Sequence, residues 1–178
     1  LKRKKGDIIE IPSNSQVFKV KSEANQSRLS DLSKKYEFSK NDGKIIGEHN
    51  GAYYYTIGQR KGLAVGGYDE PIFVIGINTK SNEIFVGKGK NHPGLIKKAI
   101  KIDIGTINWV NESYNIDLIK TLKLKARIRY RQPLQDITIH IYRKNLFIEF
   151  NKYQTAITSG QFLAFYHKNE LIASCVIS

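Results

Sequence analysis

Leu122-Lys123-Leu124-Lys125-Ala126-Arg127-Ile128-Arg129-Tyr130 is the stretch whose reading decides the fold class. Apolar and cationic residues alternate along it, and successive side chains of a β-strand point to opposite faces of a sheet. A strand over 122–130 therefore buries Leu122, Leu124, Ala126 and Ile128 and projects Lys123, Lys125, Arg127 and Arg129 together. Downstream, strands at 136–142 and 146–150 flank an Arg143-Lys144-Asn145 turn, and strands at 162–166 and 171–177 flank Lys168-Asn169. Short strands separated by tight polar turns predict a small closed barrel or sandwich.

Upstream the pattern is also β. Residues 7–11 read as a strand ended by Pro12. Residues 44–47 and 52–57 surround Asn50-Gly51, a hairpin signal, and 71–77 pairs with 83–86. Gly87 to Gly94 reads as a linker. Between the first strands lies a stretch rich in Ser, Lys and Asn, where Leu29, Leu32 and Tyr36 fall at i, i+3 and i+7 and predict a short helix on the surface. The expected fold is mainly β: a central β domain over 1–97 with a short helical insertion at 12–41, then a C-terminal antiparallel β-barrel over 98–178. No internal repeat is visible.

The 178 residues suit one ordinary domain or two small ones, and 40% apolar with 11% aromatic residues describe a folded chain. No run is apolar enough to span a membrane, and no signal-peptide core follows Leu1-Lys2-Arg3-Lys4-Lys5. A cytoplasmic protein without a membrane partner is expected. The 29 Lys and Arg against 16 Asp and Glu leave a net charge of +13. Such an excess favours a polyanionic partner, because neutralised phosphates release counterions, and nucleic acid ranks ahead of an anionic membrane. The chain begins at Leu1 and holds no methionine, so it is read as a piece of something larger. Cys175 is the single cysteine and lies in an apolar run, where a small buried hydrophobe is expected.

No catalytic constellation and no metal site are expected. His49, His92, His140 and His167 lie far apart and read as four solvent-facing histidines. Gly58-Gln59-Arg60-Lys61-Gly62 is the nearest approach to a phosphate loop, with glycines that free the backbone and two cations beside them. Arg127, Arg129 and Arg131 alternate around Tyr130 and precede Gln132. Guanidinium forks suit phosphate oxygens, a tyrosine ring can stack on an unpaired base, and glutamine can read a base edge. The competing reading is an edge strand whose cations discourage sheet-to-sheet pairing.

Three motifs together resemble a known family. Gly47-Glu48-His49-Asn50-Gly51 followed by Tyr55-Thr56-Ile57-Gly58-Gln59-Arg60-Lys61-Gly62-Leu63 resembles the signature of the bacterial tRNA-specific 2-thiouridylases. Arg129-Tyr130-Arg131-Gln132 is similar to that family's barrel motif. Thr158-Ser159-Gly160-Gln161 is similar to its Thr-Pro-Gly-Gln turn, with Ser159 in place of proline. Order and spacing agree from about Asp42 onward, while the residues of the 12–41 insertion depart from the family's pattern. The resemblance implies a tRNA wobble-uridine sulfurtransferase built from an ATP-binding PP-loop domain, a central β domain and a C-terminal barrel. ATP with magnesium would activate the uridine, a cysteine persulfide would deliver sulfur, and a sulfur-donor protein could take part. This chain resembles only the central and barrel parts. The PP-loop stretch and both family cysteines are missing, Cys175 matches neither, and the chain alone is not expected to be active or to bind a cofactor. By the same resemblance Arg129, Tyr130 and Gln161 contact tRNA, joined by Arg127, Arg131, Gln132, Gln59, Arg60 and Lys61. The rivals are a stand-alone RNA-binding barrel of translation-factor type, a protein-interaction platform for a sulfur carrier, and a small hydrolase.

Overall fold

Gly6–Glu10 forms β1 and Lys44–His49 forms β2 of a four-stranded sheet, completed by β3 at Ile72–Asn78 and β4 at Glu83–Lys88 in the order β2-β1-β4-β3. β1 runs antiparallel to β2 and parallel to β4, with Ile8 opposite Ile84. This sheet belongs to the first of two units, residues 1–19 with 35–96; the second comprises residues 20–34 with 97–178. The computed structural model describes residues 4–19, 25–111, 114, 121–142 and 145–177. Leu1, the basic Lys2 and Arg3, and the turn residues Arg143 and Lys144 lie outside them.

Ile8, Val74, Ile84 and Val86 from three strands make the first core, capped by Ala52 and Leu63 from the long connection between β2 and β3. That connection departs from the expected hairpin. Asn50-Gly51 does not return the chain as a second strand: Gly51 sits at φ 140°, its N–H donates to His49 Nδ1 at 3.0 Å, and Ala52 N–H donates to Asn82 Oδ1 at 2.9 Å. Ala52–Tyr54 becomes a 310 turn instead. A side chain from the β3–β4 turn thus overrides the strand preference of three consecutive tyrosines.

Two of the histidines expected at the surface are buried. His92 sits at 3% exposure, its Nε2–H donating to Ile11 O at 3.0 Å while Nδ1 accepts the Gly94 N–H at 3.1 Å. A Cβ on Gly87 would stand 2.5 Å from that ring, so the stretch read as a linker is a packed turn. His49, 4% exposed, accepts from Gly51, and its Nε2 has no partner among the described residues. Loss of hydration pushes both imidazoles below their usual pKa.

The second unit is a curled antiparallel half-barrel. Its strands are β5 Ile96–Asp103, β6 Asn108–Trp109, β7 Thr121–Arg127, β8 Gln135–Tyr142, β9 Asn145–Thr155, β10 Phe162–His167 and β11 Glu170–Val176. They lie in the order β5-β9-β8-β7-β10-β11-β6. The inner face buries Leu124, Ala126, Ile139, Ile148, Phe150 and Phe165, the alternate positions that sequence periodicity marks. Cys175 is buried there as well, and burial pushes its thiol up to about 12.

α1, Asn25–Ser33, also packs with this unit. Leu29 is buried against Ala99 and Phe147, Leu32 packs at the edge of the same cluster, and Arg28 pairs with Glu149 at 2.8 Å. The expected Leu29-Leu32-Tyr36 stripe is cut by the helix end at Ser33. Tyr36 lies beyond it and packs edge-on against Phe18 of the first unit at 4.9 Å. No helix among the described residues is long and apolar enough to cross a membrane.

Candidate functional site

β7 lies between β8 and β10, so its outward cations do not guard a sheet edge. Lys125 is flanked by Asp136 on β8 and by Tyr166 on β10, and Arg127 stands beside Ala164. The strand ends at Arg127, three residues earlier than alternation alone predicts, because the next residues fold into a turn. Arg127 Nη1 donates to the Tyr130 carbonyl at 3.2 Å, Gln132 N–H donates to Arg129 O at 2.9 Å, and Ile128 N–H reaches Gln132 Oε1 at 3.4 Å.

This turn builds a cation–aromatic stack. The Arg127 guanidinium carbon lies 5.2 Å from the Tyr130 ring centre and 5.1 Å from that of Tyr166, and Nη2 donates to the Tyr166 hydroxyl at 2.8 Å. Arg127 is half-buried by these contacts, whereas Tyr130 is 85% exposed. One ring face of Tyr130 rests on a fixed guanidinium and the ring is otherwise open to solvent. Cation–π contact of this kind contributes about 0.5–1 kcal/mol at an exposed site and costs the ring no further freedom when it meets a ligand. Tyr166 is the member that sequence reading missed.

The other expected residues of this unit divide by what they touch. Arg129 Nη2 donates to the carbonyls of Thr155 at 3.3 Å and Ala156 at 2.8 Å, holding a bend where Ala156 has φ 52°. Its Nε and Nη1 make no hydrogen bond among the described residues. Each end of the Gln132 amide makes one bond inside the protein, Nε2 donating to Gln154 Oε1 at 2.6 Å, so one N–H and one oxygen lone pair are left for a base edge. Arg131 is exposed and makes no ion pair among the described residues.

Gln161 shapes a turn. Its Oε1 accepts the Thr158 N–H at 3.0 Å, while Gly160 N–H donates to Ile177 O and Ile177 N–H to Gln161 O, both at 2.8 Å. Gln59 in the first unit does the same: Oε1 accepts the Thr56 N–H at 3.1 Å, Gly58 N–H donates to Val74 O at 2.8 Å, and Val74 N–H donates to Gln59 O at 2.9 Å. The glycines match too, at φ 86° and 85°. Thr-x-Gly-Gln occurs at Thr56 and again at Thr158, a four-residue repeat present in the sequence and not read from it. After the first copy, Gln59 Nε2 donates to Lys61 O at 2.8 Å, leaving Arg60 and Lys61 exposed at the tip.

Two amides of this loop are closed to a nucleotide phosphate. The Gly58 and Gln59 amides that would cradle it already donate to Val74 and Thr56 carbonyls. Among the described residues no group of three His, Cys, Asp or Glu side chains is placed to hold a metal ion. The chemistry these residues offer is recognition: fixed cations, one open aromatic ring, and backbone turns that position them.

Two family models match the chain, one described as tRNA methyl transferase PRC-barrel domain over residues 33–88 and one as aminomethyltransferase beta-barrel domain over residues 100–177. Among curated proteins, the tRNA-specific 2-thiouridylase MnmA of Christiangramia forsetii is 44% identical over 181 residues, covering 100% of this chain and 46% of that protein. Those of Flavobacterium johnsoniae and Karelsulcia muelleri are 42% and 47% identical, again over 100% of this chain and over 46% and 44% of theirs. The 12–41 stretch lies inside those matches. The chain spans about half the length of the curated relatives it matches.

Proposed function

Because this chain belongs to the tRNA-specific 2-thiouridylase family, we propose that it is the part of such an enzyme that holds tRNA while the wobble uridine is thiolated. The observation that carries this reading is the Tyr130 ring, almost fully exposed yet seated on Arg127. A ring fixed on one side and open on the other is a platform for an unpaired base, and cations around it suit the adjoining phosphates. Arg129 and Arg131 flank that platform in the chain, and Gln161 fastens the 158–161 turn. In the first unit, Arg60 and Lys61 project from a loop that Gln59 holds, and they offer charge to a second part of the tRNA.

The contribution to catalysis is placement. Holding one uridine against the reacting groups makes a bimolecular step effectively unimolecular. In this reading those groups belong to the rest of the enzyme, and the Cys175 thiol, buried and pushed up to about 12, is a poor carrier of sulfur.

Two substitutions in the full-length protein test the reading by tRNA binding across a salt series. Tyr130→Ala should weaken binding by about 1–3 kcal/mol, the size of one base–aromatic stack, with the salt slope unchanged. Arg131→Ala should instead flatten the log–log slope by about 0.7–0.9, one phosphate contact. If neither variant changes tRNA binding, the platform assignment is wrong.

A further inference from the structure

On the outer face of the half-barrel, a cleft of about 560 Å³ opens over β7, β8 and β10. Lys123, Lys125, His167 and Lys168 line it, with Asp136 as the one carboxylate among the described residues of its lining and Tyr166 in its wall. Tyr166 is also the residue whose hydroxyl accepts from Arg127, so the cleft is continuous with the Tyr130 stack. We infer that this cleft is a track for the sugar–phosphate chain of the same RNA, with Lys123 and Lys168 taking phosphates beyond the base stacked on Tyr130. The inference rests on the tRNA-holding function proposed above and adds the path that the strand takes.

Three observations support it. Lys123, Lys125 and Arg127 stand on one face of one strand, about 6.7 Å apart, a spacing of the order of consecutive phosphates. Like charges so arranged repel one another, and because β7 is an interior strand they have no edge to protect. Among the described residues only one of these charges has an ion-pair partner: Asp136 pairs with Lys125 at 3.1 Å. Lys123 and Lys168 make no ion pair among the described residues. Asp136 is thus an internal stand-in for a phosphate at Lys125, and an arriving strand must compete with it.

This predicts effects of opposite sign from one cleft. In the full-length protein, the log–log salt slope of tRNA binding should flatten by about 1.4–1.8 in the Lys123→Gln/Lys168→Gln double variant, two contacts at 0.7–0.9 each. Asp136→Asn frees Lys125 and should steepen the slope by about 0.7–0.9 and tighten binding at low salt. Unchanged slopes in both variants, with tRNA still bound and still sensitive to Tyr130→Ala, would overturn the cleft assignment alone. Absence of tRNA binding by the unaltered protein would overturn the functional reading and this inference with it. Should the double variant fail to fold, Asp136→Asn decides, since an exposed Asp to Asn change removes charge and little volume.

Discussion

Thr56-Ile57-Gly58-Gln59 and Thr158-Ser159-Gly160-Gln161 close with the same set of hydrogen bonds on strands of two different units, yet they present different chemistry to solvent. In the first unit the turn runs on into Arg60 and Lys61, and the glutamine amide also donates to the Lys61 carbonyl. In the second it runs into Phe162, which is 67% exposed, and Gln161 Nε2 has no acceptor among the described residues. The shared part is architecture. Each glycine supplies a left-handed φ, and each glutamine supplies the acceptor that an otherwise unpaired threonine N–H needs. What the turn carries differs, so the glutamines position the chain and their neighbours are the groups presented to solvent.

The units differ most in how acid should affect them. In the first, His49 and His92 are held neutral by burial, so their folded pKa values lie below the unfolded 6.5. For a base shifted downward, stability is full above pH 6.5 and is lost as pH falls from there toward the folded value. In the second unit burial tends to raise the Glu149 pKa, but the Arg28 and His140 contacts at 2.8 and 3.0 Å outweigh it and hold the carboxyl below its usual 4.5. Its contribution is present above 4.5 and is lost only as pH falls further. Hydrogen exchange read unit by unit across pH 7 to 4 should therefore show the first unit losing protection first. Simultaneous loss would mean that the buried histidines do not govern it.

A smaller effect separates the two glutamines. Gln59→Glu keeps the acceptor for Thr56 but sets a carboxylate oxygen against the Lys61 carbonyl, a loss of about 1 kcal/mol. Gln161→Glu keeps its acceptor and loses no donated bond, so it should change stability by less than about 0.5 kcal/mol. Exchange of the Val74 amide, bonded to Gln59 O, should quicken roughly five-fold in the first variant. Exchange of the Ile177 amide, bonded to Gln161 O, should hold steady in the second. Equal effects would make the turns functionally alike as well as structurally alike.

Much of the half-barrel was legible because each strand has one wet and one dry face, and period-two alternation reports that directly: Leu124, Ala126, Ile137 and Ile139 are buried where the pattern puts them. The failures share a cause, a partner distant in sequence. Ala52 to Tyr55 have the composition of a strand, but Asn82 takes the Ala52 amide. His49 and His92 look like surface residues until Asn82 and Ile11 are seen beside them. In the site, Arg127, Tyr130 and the cationic loop were visible as local motifs. Tyr166 was not, since only the antiparallel register that sets Ala164 against Arg127 brings it there. Gln132 adds a role that its motif does not announce, bonds within the protein to Ile128 and Gln154.

On the proposed function, the Tyr130 ring, seated on Arg127, stacks on a tRNA base. Ultraviolet crosslinking of the full-length protein to tRNA, with the joined peptides sequenced, tests it most directly. A nucleotide attached at Tyr130, lost in Tyr130→Phe only in part and in Tyr130→Ala altogether, is the predicted result. Crosslinks confined to other peptides, with Tyr130 unmodified in a saturated complex, would contradict it.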